Sequence, residues 1–362
     1  MYKSFRVKNF RCFKDLQIND LGRVNLIAGK NNTGKTALLE AMHLLGRPLF
    51  PPLLFELQEL RGVEVPNNHH VPVWRLFFYN VTSDNDIQVS ARHMDSNEPV
   101  SLSIKEYANS QENAEAFVKH FQHLTALGVP AAQANGYITR AIAMLEFIHI
   151  DELGTARDAH YLPNSPVPIN TVADDKSIFL PVGWRPDRQL VASQFSLADL
   201  GGKLEHLERI CRLFEPKITD MRLLSPLGEP TIWARLNGIQ LPLNLMGDGM
   251  NHVCGFILAM LLNPRYLLID EIENGIHFSL QSEVWKAIGQ VARELDIQVF
   301  ATTHSLEMIR AAYEAFSEDG KLDEFRYHRL YRSRKTGEIK AATYNELDME
   351  AVAAFDFDHE VR

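Results

Sequence analysis

Gly29-Lys30-Asn31-Asn32-Thr33-Gly34-Lys35-Thr36 is the segment with the most chemical consequence, because it fits GxxxxGK[ST] completely. A loop that wraps a chain of phosphates turns tightly and aims backbone N–H groups inward. That demands glycine at both ends, while the helix behind it presents its positive N-terminus. Lys35 then reaches the β- and γ-phosphates and Thr36 reaches Mg2+. A second cluster is Asp270-Glu271, two adjacent carboxylates closing the apolar run Leu267-Leu268-Ile269. Acids at a strand terminus are costly unless a cation or a ligand uses them. Asp270 would hold Mg2+, directly or through water, and Glu271 would polarise an attacking water; the plain alternative is a pair of solvated acids capping the next helix. Ala301-Thr302-Thr303-His304-Ser305 follows another strand, which puts His304 at the same sheet edge, where it can sense the γ-phosphate and help orient that water. A lone histidine after a strand is otherwise structural.

These residues need elements that bring them together. Val24 to Ala28 is a short apolar strand ending in Gly29, and Leu38, Leu39, Met42 and Leu45 recur at helical spacing over Thr36 to Leu45, closed by Gly46 and Pro48. Tyr266 to Ile269 and Ile297 to Phe300 read as buried parallel strands. Between them Leu280, Val284, Ile288, Val291 and Leu295 repeat at helical intervals. Strand, helix, strand implies a parallel sheet with crossover helices, hence an α/β fold. The alternation of Phe5 and Val7 with Arg6 and Lys8, and the run Leu16 to Ile18, predict short antiparallel strands at the start. Asn237-Gly238 between Thr231 to Leu236 and Ile239 to Leu243 predicts a hairpin, followed by Met246-Gly247-Asp248-Gly249 and an apolar helix. From about residue 50 to 180 the pattern is irregular. Strand-like pieces at Val73 to Tyr79 and Ile87 to Ala91, helix-like pieces around 111–124 and 137–147, and a mobile loop from Tyr161 to Lys176 are expected there.

Composition narrows the function. Against 37 basic residues stand 46 acidic ones, a net charge of −9 before any of the 14 histidines is protonated, which excludes a generally basic nucleic-acid wrapper. With 46% hydrophobic and 23% charged residues, disordered and fibrous readings fail. The 362 residues suffice for one large domain with insertions or two modest ones. Cys12, Cys211 and Cys254 are odd in number and far apart, which offers neither a disulfide framework nor a CxxC metal pair and fits a reducing cytosol. The start shows no signal-type apolar stretch. The longest apolar run, Val253 to Leu262, stops well short of the ~20 residues of a membrane span, so a soluble protein without a membrane partner is expected. His69-His70, His120 and His123 lack a second pair at zinc-ligand spacing and read as solvated. One basic concentration, Lys321, Arg326, His328, Arg329, Arg332, Arg334, Lys335 and Lys340, could contact DNA or RNA, form a partner-protein surface, or simply be a solvated strand pair turning at Thr336-Gly337.

In order along the chain, VKNFRCFKDL, GKNNTGKT, MGDG, LLIDEIENGIH and ATTHS resemble an ABC-type ATPase of the OLD and RecF-like group, over residues 1–46 and 225–345. The resemblance implies an ABC-ATPase head with a mainly parallel sheet, an N-terminal antiparallel β subdomain and an inserted, mostly helical region. The core would span 1–50 and 225–362 and the insertion 51–224. It implies hydrolysis of ATP to ADP and phosphate, dependent on Mg2+, with Lys35, Glu271 and His304 catalytic. It also implies an ATP sandwich of two copies, in which Gly247, Asp248 and Gly249 act in trans on the partner's nucleotide; taken alone, those three residues could be just a turn. Their departure from LSGGQ counts against a transporter subunit. Asn274-Gly275 and His277 resemble the segment at the dimer axis; as plain chemistry they are a turn and a helix start. Asn9, Arg11 and Phe13 occupy the place of nucleotide contacts in related heads, or an ordinary edge strand. A Mg2+-sensing glutamine is expected between 180 and 200, with Gln189 and Gln194 as candidates. OLD-like relatives often carry a C-terminal Toprim nuclease, for which the sequence past Asn345-Glu346-Leu347 has no room. A separate effector, nuclease or toxin, is therefore expected, as in bacterial anti-phage defence. A RecF-like recombination ATPase is the alternative, and an SMC-type head is disfavoured by the lack of a long heptad run.

Overall fold

The computed structural model describes residues 1–63, 73–94, 96, 98–126, 130–132, 134–135, 143–161, 176–183, 188–226 and 228–344. In chain order the elements are β1 (Tyr2–Phe10), β2 (Phe13–Ile18), β3 (Val24–Gly29), α1 (Lys35–Gly46), α2 (Leu53–Glu59), β4 (Ile87–His93), β5 (Pro99–Ala108) and α3 (Ala114–Ala126). Then come β6 (Ala143–Ile150), β7 (Ala156–Tyr161), β8 (Ser177–Leu180), α4 (Arg188–Leu200), α5 (Leu204–Phe214), β9 (Ile218–Leu224), β10 (Thr231–Leu236), β11 (Ile239–Pro242) and α6 (Asp248–Leu261). The rest is β12 (Tyr266–Ile269), α7 (Gln281–Glu294), β13 (Gln298–Thr303), α8 (Leu306–Glu318), β14 (Phe325–Arg332) and β15 (Ile339–Tyr344).

The site rests on a six-stranded sheet in the order β15-β14-β3-β13-β12-β8. All neighbours are parallel except β15, which pairs antiparallel with β14. Both faces are covered, as a parallel sheet requires. Along β3 and β13 the alternation sends Val24, Leu26, Val299 and Ala301 into one core with α6, α7 and α8, and Ile27 and Phe300 into the other with α1 and the N-terminal strands. The second sheet is antiparallel, in the order β2-β1-β4-β5-β6-β7, and β9, β10 and β11 form a third. Gln298 rivets the first two sheets together: its buried amide accepts from the Tyr2 N–H at 2.7 Å and donates to the carbonyls of Tyr2 and Gly22 at 2.8 Å.

The α/β architecture, the opening antiparallel strands, the parallel strands and the hairpin match the sequence reading. Two local expectations do not. Val73 to Tyr79 forms 3-10 turns instead of a strand, because Val73, Trp74 and Phe77 bury together at helical spacing. The end of the helix-like piece 137–147 is β6, where Phe147 and His149 point inward and Ile148 and Ile150 outward, paired to β5. The rest of that piece, and the loop 162–175, lie outside the described residues, as do His69 and His70 and the side chains of His120 and His123. The stretch 51–224 supplies four strands to the antiparallel sheet and, through β8, the edge strand beside β12. Cys211 and Cys254, distant in sequence, meet with their sulfurs 2.9 Å apart between α5 and α6.

Candidate active site

Parallel pairing sets the carboxyl ends of β3, β13 and β12 side by side: Ala28 stands opposite Thr303, and Ala301 opposite Ile269. Ligands of open α/β sheets bind at this edge. The loop from Gly29 to Gly34 leaves β3 and returns as α1. Thr33 closes it on itself, its hydroxyl donating to the Lys30 carbonyl at 2.7 Å. Gly34 is obligatory here. Its φ of +86° is left-handed, and a Cβ would come within 2.6 Å of the Cys12 sulfur and 2.7 Å of the Phe13 ring. No side chain caps the first turn of α1 and no acid lies in it, which leaves its N–H groups and positive end for an anion. Lys35 is buried, with Nζ donating to the Gly29 carbonyl at 2.9 Å. Burial pulls its pKa down, opposed by the carboxylates of Asp270, Glu271 and Glu273.

Asp270 is also buried. The Thr36 hydroxyl donates to its Oδ2 at 2.7 Å and the Thr302 hydroxyl donates to its Oδ1. Burial pushes this carboxyl upward and the two hydroxyl bonds hold it back, an imbalance that a cation would relieve. Thr36 Oγ1 and the Asp270 carboxylate are hard oxygens in direct contact, a donor set that suits Mg2+. Glu271 follows with φ of +49°, a conformation that costs a non-glycine residue on the order of 1–2 kcal/mol. It is held by its N–H donating to Thr302 Oγ1 at 2.8 Å and by the Asn274 amide donating to Oε2 at 3.0 Å. His304 stands across from it, with Nδ1 3.9 Å from Glu271 Oε1. Leu180, Pro181, Gly183, Asp270, Glu271 and Asn274 line a small cleft together with His252 of α6.

Gly247 caps α6 with φ of +101° and, as a glycine, brings no side chain to the N–H groups of the first turn. Gly249 faces the Gly275 carbonyl, and a Cβ on Gly275 would overlap the His252 imidazole. The Gly247–Gly249 turn and the Asn274-Gly275 turn thus share one surface, flanked by the exposed side chains of Leu245 and Phe278. The Asp248 side chain lies outside the described residues. Lys30 and Asn31 are exposed on the loop, and Asn32 takes φ of +64°.

Other candidates make the following contacts within the fold. Asn9 donates to the Asp86 carbonyl. Arg11 lies over the Phe77 ring and, with Arg61, pairs with the buried carboxylate of Glu40; burial pulls the Arg11 guanidinium down to about 10. Phe13 is buried against Gly34, and His277 caps a short turn by accepting from the Ser279 N–H. Gln194 is buried and Gln189 exposed on α4, and neither lines the cleft. In the basic segment Arg326 pairs with Asp20, Arg332 with the Gly337 carbonyl and Lys340 with Glu338. His328 is fully buried, pulled down to about 3 by desolvation. Two residues of the site were not singled out from sequence. One is Thr302, whose only signal was a hydroxyl at the buried end of an apolar strand. The other is Glu273, which accepts from the His304 N–H at 2.7 Å.

Residues 164–310 match a family model described as "AAA domain, putative AbiEii toxin, Type IV TA system", and residues 1–129 match an "AAA ATPase domain". The two models thus match separate parts of the chain to AAA-type ATPase domains. Both matches fall on the elements that build the site: the first includes Asp270, Glu271 and His304, the second the whole phosphate loop. An "ATP/GTP phosphatase" of Helicobacter pylori is 26% identical over 348 residues, 88% of this chain and 89% of that protein. An uncharacterized protein of Methanocaldococcus jannaschii is 26% identical over 174 residues, 42% of this chain and 77% of its own. Among solved structures, the SMC head domain from Thermotoga maritima aligns with 95% of this chain and 99% of its own, at 13% identity and a TM-score of 0.48. An SMC head bound to the C-terminal winged-helix domain of ScpA aligns at 12% identity and a TM-score of 0.49, covering 96% of this chain and 99% of that one. Among the described residues no helix is long and apolar enough to cross a membrane.

Proposed function

We propose that this chain is a cytosolic, Mg2+-dependent ATP hydrolase that closes face to face with a second copy around two ATPs and uses hydrolysis as a conformational switch. The observation that carries the reading is the contact of Thr36 with Asp270, with Lys35 behind it and Glu271 and His304 in front. Mg2+, held there by Thr36 and Asp270, would neutralise phosphate charge. Everything else falls to the chain's own groups. The loop N–H groups and Lys35 bind the phosphates, and Glu271, fixed from both sides by Thr302 and Asn274, orients and deprotonates water. His304 meets the γ-phosphate, and Gly247 to Gly249 would act on the partner's nucleotide through the N-terminus of α6. Leu245 and Phe278, apolar and exposed beside both glycine turns, favour closure on this face.

The switch would control a separate effector, a nuclease or toxin in bacterial anti-phage defence. The toxin-system description matched by residues 164–310 supports that role, and the phosphatase relative supports the chemistry. The test combines phosphate release with light scattering. ATP turnover that needs Mg2+ and is lost in Lys35→Ala, with doubled mass under ATP and single mass under ADP, supports the proposal. No phosphate release removes the enzyme, and one mass in every nucleotide state removes the switch.

A further inference from the structure

Glu273 plays no part in the mechanism above, and its surroundings are odd for a residue that only stabilises the fold. Its side chain is 9% exposed. Oε1 accepts from the His304 backbone N–H at 2.7 Å and lies 2.8 Å from His304 Nδ1, while Oε2 is buried without a partner among the described residues. A carboxylate with a bare buried oxygen is expensive. It lies close enough to Lys35 to act on it electrostatically, alongside Asp270 and Glu271. The segment Glu271-Ile272-Glu273-Asn274 is tightly turned, with the Asn274 N–H donating to the Glu271 carbonyl at 3.0 Å and the Ile272 N–H to the Thr302 carbonyl at 3.0 Å. Glu273 is therefore carried on the same rigid turn as the base.

An ionised carboxylate only accepts, so a ring nitrogen 2.8 Å from it is satisfied there only as an N–H. We infer that Glu273 is a positioning residue: it holds the His304 ring by Nδ1–H and the adjoining backbone N–H, so that in the imidazolium form Nε2–H is the donor presented to the γ-phosphate. The turn would then couple the two halves of the site, since Glu271 and the partner of His304 move as one piece. This inference rests on the proposed ATP hydrolysis, and its test separates the two.

Glu273→Met removes the acceptor at nearly constant volume, while Glu273→Gln keeps an oxygen able to accept. A carboxylate that orients a functional histidine is worth about 10- to 100-fold. The expected result is a kcat lowered about 10- to 100-fold in Glu273→Met, with KM for ATP within about threefold and most of the loss restored in Glu273→Gln. The double variant Glu273→Met/His304→Ala should be no slower than His304→Ala alone, because both act through one ring. Denaturation midpoints control for folding; if the methionine variant does not fold, Glu273→Asp withdraws the carboxylate by one methylene and should lose about tenfold. Parental turnover in Glu273→Met, or losses that multiply in the double variant, overturns the assignment. Should the wild-type chain release no phosphate, ATP hydrolysis falls, and the ring decides for Glu273. By 15N shifts of labelled histidine, with His304→Ala for the assignment, an Nδ1-protonated His304 that loses this state in Glu273→Met supports the positioning role, and an unchanged ring overturns it.

Discussion

Thr302→Val removes one hydroxyl and little else. That hydroxyl donates to Asp270 Oδ1 and accepts from the Glu271 N–H at 2.8 Å, and the residue is fully buried. Valine keeps the shape, so no cavity forms, but a carboxylate oxygen and a backbone N–H each lose their partner. A hydrogen bond to a charged group is worth about 1.5–3 kcal/mol and an unmet buried N–H costs about 1–3 kcal/mol. The two share one oxygen and do not add fully, giving an expected loss of about 2–4 kcal/mol in urea denaturation. Among the described residues Asp270 then keeps only the Thr36 hydroxyl to orient it, and the loss of such a support typically weakens metal affinity about 10- to 100-fold. Phosphate release titrated against Mg2+ should shift its midpoint upward by that factor. Thr302→Ser, which retains the hydroxyl, should stay close to the parent in both assays. If Thr302→Val shows the parental urea midpoint and Mg2+ dependence, the view that this hydroxyl organises the two acids is wrong.

Gly34→Ala should destabilise by about 2–4 kcal/mol, since it combines a left-handed φ with a Cβ driven into Cys12 and Phe13; chemical denaturation reads this directly. Acid should destabilise the chain through His43 and His328, both pulled down to about 3 by burial. Between about pH 6.5 and pH 3 the unfolded chain takes protons that the folded chain refuses, so stability falls as pH drops, by about 2 kcal/mol per histidine from pH 7 to pH 5. Urea curves at the two pH values measure the difference, and His328→Asn should flatten it. Phe278→Asp, on an exposed side chain beside the Gly275 turn, should leave the monomer's stability within about 0.5 kcal/mol while abolishing the ATP-induced mass increase in light scattering.

Much of the site was legible because its residues terminate apolar runs. Gly29 ends β3, Asp270 follows β12 and His304 follows β13, and parallel pairing makes three separate chain segments into one edge. Glu273 was hidden for the opposite reason: inside ENGIH it reads as one polar residue of a turn, and only the fold shows which histidine it faces. The stretch before β8 was the least legible. Trp74 and Phe77 look like strand residues until their helical burial is seen, and β6 owes its extended form to pairing with β5 more than to its own pattern. The meeting of Cys211 with Cys254 depends on how α5 packs on α6, which no spacing along the chain encodes.

The most direct test is Glu271→Gln, a change of one atom that keeps the side chain's length and its contact with Asn274 but ends its capacity to take a proton. Phosphate release should fall at least about 100-fold while ATP still binds with Mg2+. Turnover at the parental rate would show that water is activated elsewhere and would contradict the account at its centre.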